Sequence, residues 1–147
     1  MNVLLIEDNQ YKASQLEKFI NEEFPFIILT TKGSYNSGLR EIILNNIYEL
    51  ILLDISMPTY DVRPGESGGE PIPLAGKFIL KEMFLRDITT NVIVVTMYEN
   101  FVDGTQLKIL NEQFKQEFDL IYRGYVYFAH GDSSWKETLK KLIQVIL

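Results

Sequence analysis

Three short runs in this chain, Val3–Ile6, Leu50–Leu53 and Val92–Val95, are apolar at every position instead of alternating with polar residues. A strand with one wet face shows a period of two, so an unbroken apolar run marks a strand covered on both faces, the condition of a parallel sheet between two helix layers. Phe26–Leu29 and Tyr125–Phe128, rich in aromatic and branched residues, read as two further strands. Helical stripes fall between and after them: Leu16, Phe19 and Ile20; Leu107, Leu110, Phe114 and Phe118; and Trp135, Leu139, Leu142, Ile143 and Ile146, with Lys136, Lys140 and Lys141 off the stripe. Ser134 and Glu137 have the spacing of a capping box for the last helix, and Asp132 and Ser133 offer neighbouring caps. These stripes read as core surfaces. The alternation predicts a three-layer α/β sandwich with right-handed crossovers and a five-stranded parallel sheet in the order 2-1-3-4-5. With 147 residues the chain is expected to be one domain, residues 1–147.

The residues that end the strands are polar. The first run stops at Glu7 and Asp8, the third strand at Asp54 and the fourth at Thr96, in each case at the carboxyl end. In an open parallel sheet a ligand binds beyond those ends, where the winding reverses, which for this order lies between the first and third strands. Glu7, Asp8 and Asp54 are therefore expected around one crevice, with Thr96 beside it. Taken singly, an acid at a strand end is more often a cap or turn former, and Asp8 or Asn9 could cap the first helix. Three acids together raise one another's pKa and call for a cation. Oxygen ligands alone suit Mg²⁺, with Mn²⁺ as a substitute, and a carboxylate beside such an ion can act as nucleophile toward a phosphoryl group. Asp54, alone at its strand end, is the candidate.

Other chemistry is excluded by composition. There is no cysteine and one histidine, His130, so thiolate sites, disulfides and polyhistidine zinc sites drop out. His130, before the last helix, reads as a polar loop residue and not as a phosphohistidine. A net charge of -6 repels nucleic acid and anionic membrane, and no apolar run approaches membrane-spanning length. The acidic pair follows the first apolar residues too soon for a signal peptide, so a cytoplasmic location is expected.

The segments Leu4-Leu5-Ile6-Glu7-Asp8-Asn9, Leu50 to Pro58 with its Leu-Asp-x-x-Met-Pro core, Val92 to Thr96 and Gly124-Tyr125-Val126 resemble the receiver domain of bacterial two-component response regulators. The resemblance runs over nearly the whole chain and implies the flavodoxin-like form of the sandwich. It further implies that Glu7, Asp8, Asp54 and the Ser56 backbone carbonyl bind Mg²⁺ and that Asp54 is the phosphoacceptor. Thr96 would contact the phosphoryl group, and Tyr125 would be the aromatic whose rotamer reports the phosphorylated state. A histidine kinase or phosphotransfer protein as donor, a downstream protein effector, and dimerisation or docking through the face of the fourth helix, fifth strand and fifth helix are implied as well. Because the chain ends at Leu147, directly after the last helix, a stand-alone receiver acting through a partner is expected.

Two departures from the pattern stand out. The lysine that the family carries four positions after the glycine is replaced by Phe128, followed by Ala129 in place of proline. Without that cation the phosphorylated crevice is more negative, and a cation from an inserted segment, Arg63 or Lys77, is the expected replacement. The inserted segment itself, residues 58–75, holds four of the five prolines and three of the nine glycines, and reads as a long loop over the crevice, a lid or partner-selecting element or else a tolerated insertion. The missing lysine also supports a second reading, a pseudo-receiver that binds partners without phosphorylation. An enzyme is expected least. A flavin protein would need hydroxyls where Glu7-Asp8-Asn9-Gln10 stands, a phosphatase a second aspartate at Ser56, and Gly76-Lys77-Phe78 lacks the Ser or Thr of a nucleotide loop.

Overall fold

The computed structural model describes residues 1–147. Five parallel strands, β1 (Asn2–Ile6), β2 (Ile28–Lys32), β3 (Leu50–Leu53), β6 (Asn91–Thr96) and β7 (Tyr122–Tyr127), form one sheet in the order β2-β1-β3-β6-β7. The expected order is met, the fourth and fifth predicted strands being β6 and β7. Between β3 and β6 lies a separate antiparallel pair, β4 (Met57–Pro58) with β5 (Pro71–Ile72). The helices are α1 (Gln10–Glu23), α2 (Tyr35–Leu44), α3 (Ala75–Leu85), α4 (Leu107–Glu117) and α5 (Ser134–Ile146).

The all-apolar runs have the role their pattern requires. Val3, Leu5, Leu50, Leu52, Ile93 and Val95 pack with Leu16, Phe19 and Ile20 of α1 and Trp135, Leu139 and Ile143 of α5. Their neighbours Leu4, Ile6, Ile51, Leu53, Val92 and Val94 face the other way, onto Ile42 of α2, Ile79 and Met83 of α3, and Leu110 and Phe114 of α4. Register aligns Ile6 with Leu53 and Leu53 with Val94, so the chain leaves β1, β3 and β6 on one rim. β7 carries one extra residue between Tyr122, opposite Val92, and Tyr125, opposite Val94; Gly124, at φ 122°, absorbs that bulge.

Local details depart from the sequence reading. The second strand begins at Ile28, not Phe26, because Ile27 N–H closes a turn onto Phe24 O (2.9 Å) and Phe26 is exposed. As an edge strand it runs on through Thr30, Thr31 and Lys32, which no apolar pattern marks. The Ser134–Glu137 capping box does not form; Asp132 Oδ1 accepts the Ser134 N–H (2.9 Å) and Ser133 occupies the cap position.

The inserted segment is no free loop. Thr59 N–H and Tyr60 N–H bond to Glu70 O (3.2 Å) and Gly68 O (2.8 Å), extending the β4–β5 stem. Asn36 N–H at the start of α2 donates to Thr59 O (3.0 Å), and Ser37 Oγ donates to Asp61 Oδ1 (2.7 Å), so the hairpin is docked on the first turn of α2. Gly68, at φ 78°, serves close packing: a Cβ there would lie 2.7 Å from Val62 Cγ2 and 3.0 Å from Tyr60 O. No helix is long and apolar enough to cross a membrane.

Candidate functional site

Glu7 and Asp8 follow β1 directly, and Asp54 follows β3; each offers a carboxylate oxygen within 4.8 Å of the other two. The three acids expected around one crevice do meet there. Glu7 and Asp54 are buried and Asp8 is exposed. Asn9, not Asp8, caps α1, its Oδ1 accepting the Lys12 N–H (2.9 Å). Glu7 Oε2 accepts Asn9 N–H (3.1 Å), and Asp54 Oδ1 accepts the N–H of Ile55 (2.7 Å). Burial, followed by the charge of Asp54, pushes the Glu7 carboxyl up to about 8, although Lys12 opposes the shift. The same two causes raise Asp8.

Sequence reasoning missed the cation of this site. Lys12, on the first turn of α1, is fully buried; its Nζ donates to Val95 O (2.6 Å), forms an ion pair with Glu7 Oε1, and lies 3.3 Å from Asp54 Oδ2. Glu7 Oε1 has the Lys12 ammonium as its sole partner. One lysine stands against three carboxylates. Three carboxylates gathered against one ammonium, two of them with raised pKa, and an oxygen-only donor set together fit a hard divalent cation such as Mg²⁺. The clue available in the sequence was helical spacing: residues 12, 16 and 20 share one stripe, and Leu16 and Ile20 had already been assigned to the core.

Neither expected replacement for the strand lysine comes to the crevice. Arg63 lines a different, polar depression with Ser34, Ser37, Arg40 and Asp61. Burial there works against the Asp61 charge, yet hydrogen bonds from Ser34 and Ser37 and the charges of Arg63 and Lys32 hold its carboxyl below the usual range. Lys77, on α3, acts on Asp103 in the β6–α4 loop. The hairpin holds Arg63 over α2, which is why proximity in sequence misled.

A groove of about 570 Å³ opens above Asp54, lined by Asp8, Asn9 and Ser56 on its floor. Met57, Pro58, Val62 and Ile72 of the hairpin form one wall, and Met97, Tyr98, Phe101 and Val102 of the β6–α4 loop the other. The insertion thus flanks the crevice instead of covering it. The Ser56 carbonyl accepts no hydrogen bond within the chain, and Ser56 Oγ donates to Pro73 O (2.7 Å). Thr96 is buried at the end of β6, where its Oγ1 accepts Tyr98 N–H (3.3 Å). Tyr125 is half-buried and lines a second depression with Glu99, Gln106, Lys108 and Tyr127. Asn100 lines both hollows, so the β6–α4 loop is a common wall between Asp54 and Tyr125.

Gly76 was a second functional position that the sequence did not announce. Its N–H donates to Ile55 O (2.9 Å), and a Cβ would meet Asp54 O at 2.6 Å. Only glycine lets α3 press this close to the segment holding Asp54. Phe128 and Trp135 are core residues whose rings meet at a tilt of 38° (centroids 4.9 Å), which leaves Tyr127 and part of Tyr125 on the outer face of β7. His130 is exposed and lies against the Tyr11 ring (5.1 Å).

No family model matches the chain. Among solved structures, the receiver domain of a LuxO repressor protein from Vibrio parahaemolyticus superposes with a TM-score of 0.65 at 19% identity, covering 99% of this chain and 88% of that one. TrrA of Thermotoga maritima, a response regulator solved in complex with Mg²⁺-BeF, gives 0.58 at 20% identity over 96% and 97%. These likenesses show the fold. A curated relative, the Detocs response regulatory protein DtcB of Enterobacter cloacae, is 32% identical over 97% of this chain and 98% of its own length. An uncharacterized protein of Sinorhizobium fredii is 30% identical over 95% of each. With its acids gathered on one rim of a receiver fold and a response regulatory protein matching it end to end, the chain belongs to the response regulator receiver family.

Proposed function

We propose that this receiver accepts a phosphoryl group on Asp54 in a Mg²⁺-dependent reaction and passes the change to a protein partner, without turnover. The observation that carries the reading is the position of Asp54, buried at the floor of an open groove with its carboxylate beside those of Glu7 and Asp8. Glu7, Asp8, Asp54 and the Ser56 carbonyl would hold the Mg²⁺. When bound, that ion supplies positive charge against the oxygens of the phosphoryl group. A carboxylate oxygen of Asp54 forms the bond to phosphorus as the phosphorus–nitrogen bond of a phosphohistidine donor breaks, the imidazole keeping the electron pair and taking up a proton. The donor class is a histidine kinase or phosphotransfer protein, and a cytoplasmic setting goes with it.

Transmission runs through the β6–α4 loop. The Thr96 hydroxyl, turned from Tyr98 N–H toward the new oxygens, draws on that loop, and Asn100 carries the movement to the wall against Tyr125. Tyr125, together with exposed Tyr127 and Ile109 of α4, makes the α4–β7–α5 face the output surface, for an effector or a second copy. That TrrA was obtained with Mg²⁺ and a beryllium fluoride supports this reading.

The test is incubation with Mg²⁺ and acetyl phosphate, followed by intact mass measurement. One hydroxylamine-labile phosphoryl adduct is expected, absent in Asp54→Asn and without Mg²⁺. Folded protein that takes no adduct from any donor would instead make the chain a phosphorylation-independent interaction module.

A further inference from the structure

We infer that Lys12, delivered from α1, is the cation that contacts the phosphoryl group on Asp54, in place of a lysine on the last strand. The inference rests on the phosphorylation reading and adds the residue that makes it workable in this chain.

Three observations converge. Phe128 stands where the strand lysine was expected, buried between Tyr11 and Trp135, so β7 supplies no cation to the crevice. Lys12 puts a full charge within 3.3 Å of Asp54 Oδ2, and its other contacts, Val95 O and Glu7, come from the ends of β6 and β1. Its ammonium therefore sits where the three central strands converge, at the switch point of the winding.

The third observation is that neither helix position nor hydrophobic pattern favours a lysine there. Position 12 lies in the first turn of α1, where the helix dipole disfavours a cation, and a buried ammonium is costly unless held by excellent partners. An apolar residue at 12 would continue the Leu16 and Ile20 stripe. A cation placed against these preferences and held by Glu7, Asp54 and Val95 O belongs to the acidic site and not to the helix. The ammonium already touches the reacting carboxylate, and it donates up to three hydrogen bonds, of which Val95 O takes one. As the acyl phosphate forms, Asp54 gives up its own charge and the phosphoryl oxygens bring more, so Lys12 transfers its attraction to them without leaving its anchor. The Val95 anchor adjoins Thr96, which ties the cation to the same strand end as the proposed hydroxyl contact.

The test compares wild type, Lys12→Met and Lys12→Arg for phosphoryl uptake from acetyl phosphate, lifetime of the adduct, and affinity for beryllofluoride in excess Mg²⁺. Lys12→Met is expected to lose about tenfold or more in beryllofluoride affinity and uptake, the equivalent of one charge-assisted hydrogen bond, with Lys12→Arg retaining most of both. Mg²⁺ affinity, read by calorimetry, is expected to stay the same or rise in Lys12→Met, which a general loss of structure would not produce. Should Lys12→Met unfold because Glu7 is left unpaired, Lys12→Gln, which keeps a donor for Glu7 and Val95 O but carries no charge, takes its place in the same assays with the same losses expected. Uptake at the wild-type rate and with the wild-type lifetime in the folded variant without Lys12 overturns the role of Lys12 alone. A wild-type protein that takes neither phosphoryl nor beryllofluoride overturns the phosphorylation reading, and this inference with it.

Discussion

Replacing Gly76 by alanine sets two effects against each other. In an ordinary helix the change gains about 1 kcal/mol of propensity. Here the new Cβ would lie 2.6 Å from Asp54 O, 3.0 Å from Ile55 Cα and 3.2 Å from Ile55 Cδ1. Two of the three are backbone, and they cannot retreat: Asp54 N–H is bonded to Ile6 O (3.1 Å), and Leu53 and Ile55 are fully buried on either side. The helix must move instead, stretching the Gly76 N–H bond to Ile55 O. Overpacking usually costs about 1–3 kcal/mol, and with two of the three contacts made to fixed backbone the upper part of that range, about 2–3 kcal/mol, applies here; less the propensity gain, this leaves a net loss of about 1–2 kcal/mol. For a domain of this size that lowers the melting temperature by several degrees, on the order of 2–4 °C per kcal/mol. Urea denaturation of wild type and Gly76→Ala measures it, and phosphoryl uptake by the variant should fall because the displaced helix no longer backs the Asp54 segment. A variant as stable as wild type or more so, with normal uptake, would refute the claim that α3 is seated by this glycine.

In metal-free buffer, stability should fall as pH rises from about 4.5 toward 9. The Glu7 carboxyl is raised from 4.5 to about 8 in the fold, so the folded state holds a proton that the unfolded chain has released, and that contribution is lost through the upper value. Melting temperatures in chelator across this range should show the decline, Glu7→Gln should flatten it, and Mg²⁺ should stabilise more at the alkaline end; a rise with pH in the wild type would contradict the assignment. Asp61→Ala removes the acceptor of Ser37 Oγ and should loosen the hairpin from α2, exposing residues 59–70 to limited proteolysis while costing about 1 kcal/mol of global stability. Equal protease resistance in the two proteins would show that the backbone bond from Asn36 alone docks it. Tyr122→Phe leaves Asn111 Oδ1 without its 2.7 Å partner in a buried setting and should cost about 1–3 kcal/mol, read by the urea midpoint; an unchanged midpoint would indicate that Asn111 finds another donor.

The central sheet was legible because burial on both faces leaves no choice of residue: Leu50–Leu53 and Val92–Val95 could hardly be anything but interior strands, and the acids that follow β1 and β3 had to sit on one rim. The edge strand was misplaced because its residues answer to solvent on one side, so Thr30 to Lys32 carry no apolar mark. The hairpin was read as a long loop because a segment holding four prolines and three glycines carries no strand pattern, whereas Gly68 makes room for Tyr60 and Val62. Lys12 was hidden by its chemical type. A lysine in a first helical turn reads as solvent-facing, and only its spacing to Leu16 and Ile20 showed that it points inward. The cation was sought among residues near Asp54 in sequence; the parallel sheet brings α1 there instead.

A phosphoryl group taken up by this receiver is expected on Asp54. After reaction with acetyl phosphate and Mg²⁺, borohydride reduction converts an aspartyl phosphate to homoserine, which peptide sequencing by mass spectrometry locates. Homoserine at position 54 and nowhere else is the result expected; an unmodified Asp54 in folded, Mg²⁺-loaded protein, or conversion at Asp8 instead, would contradict it.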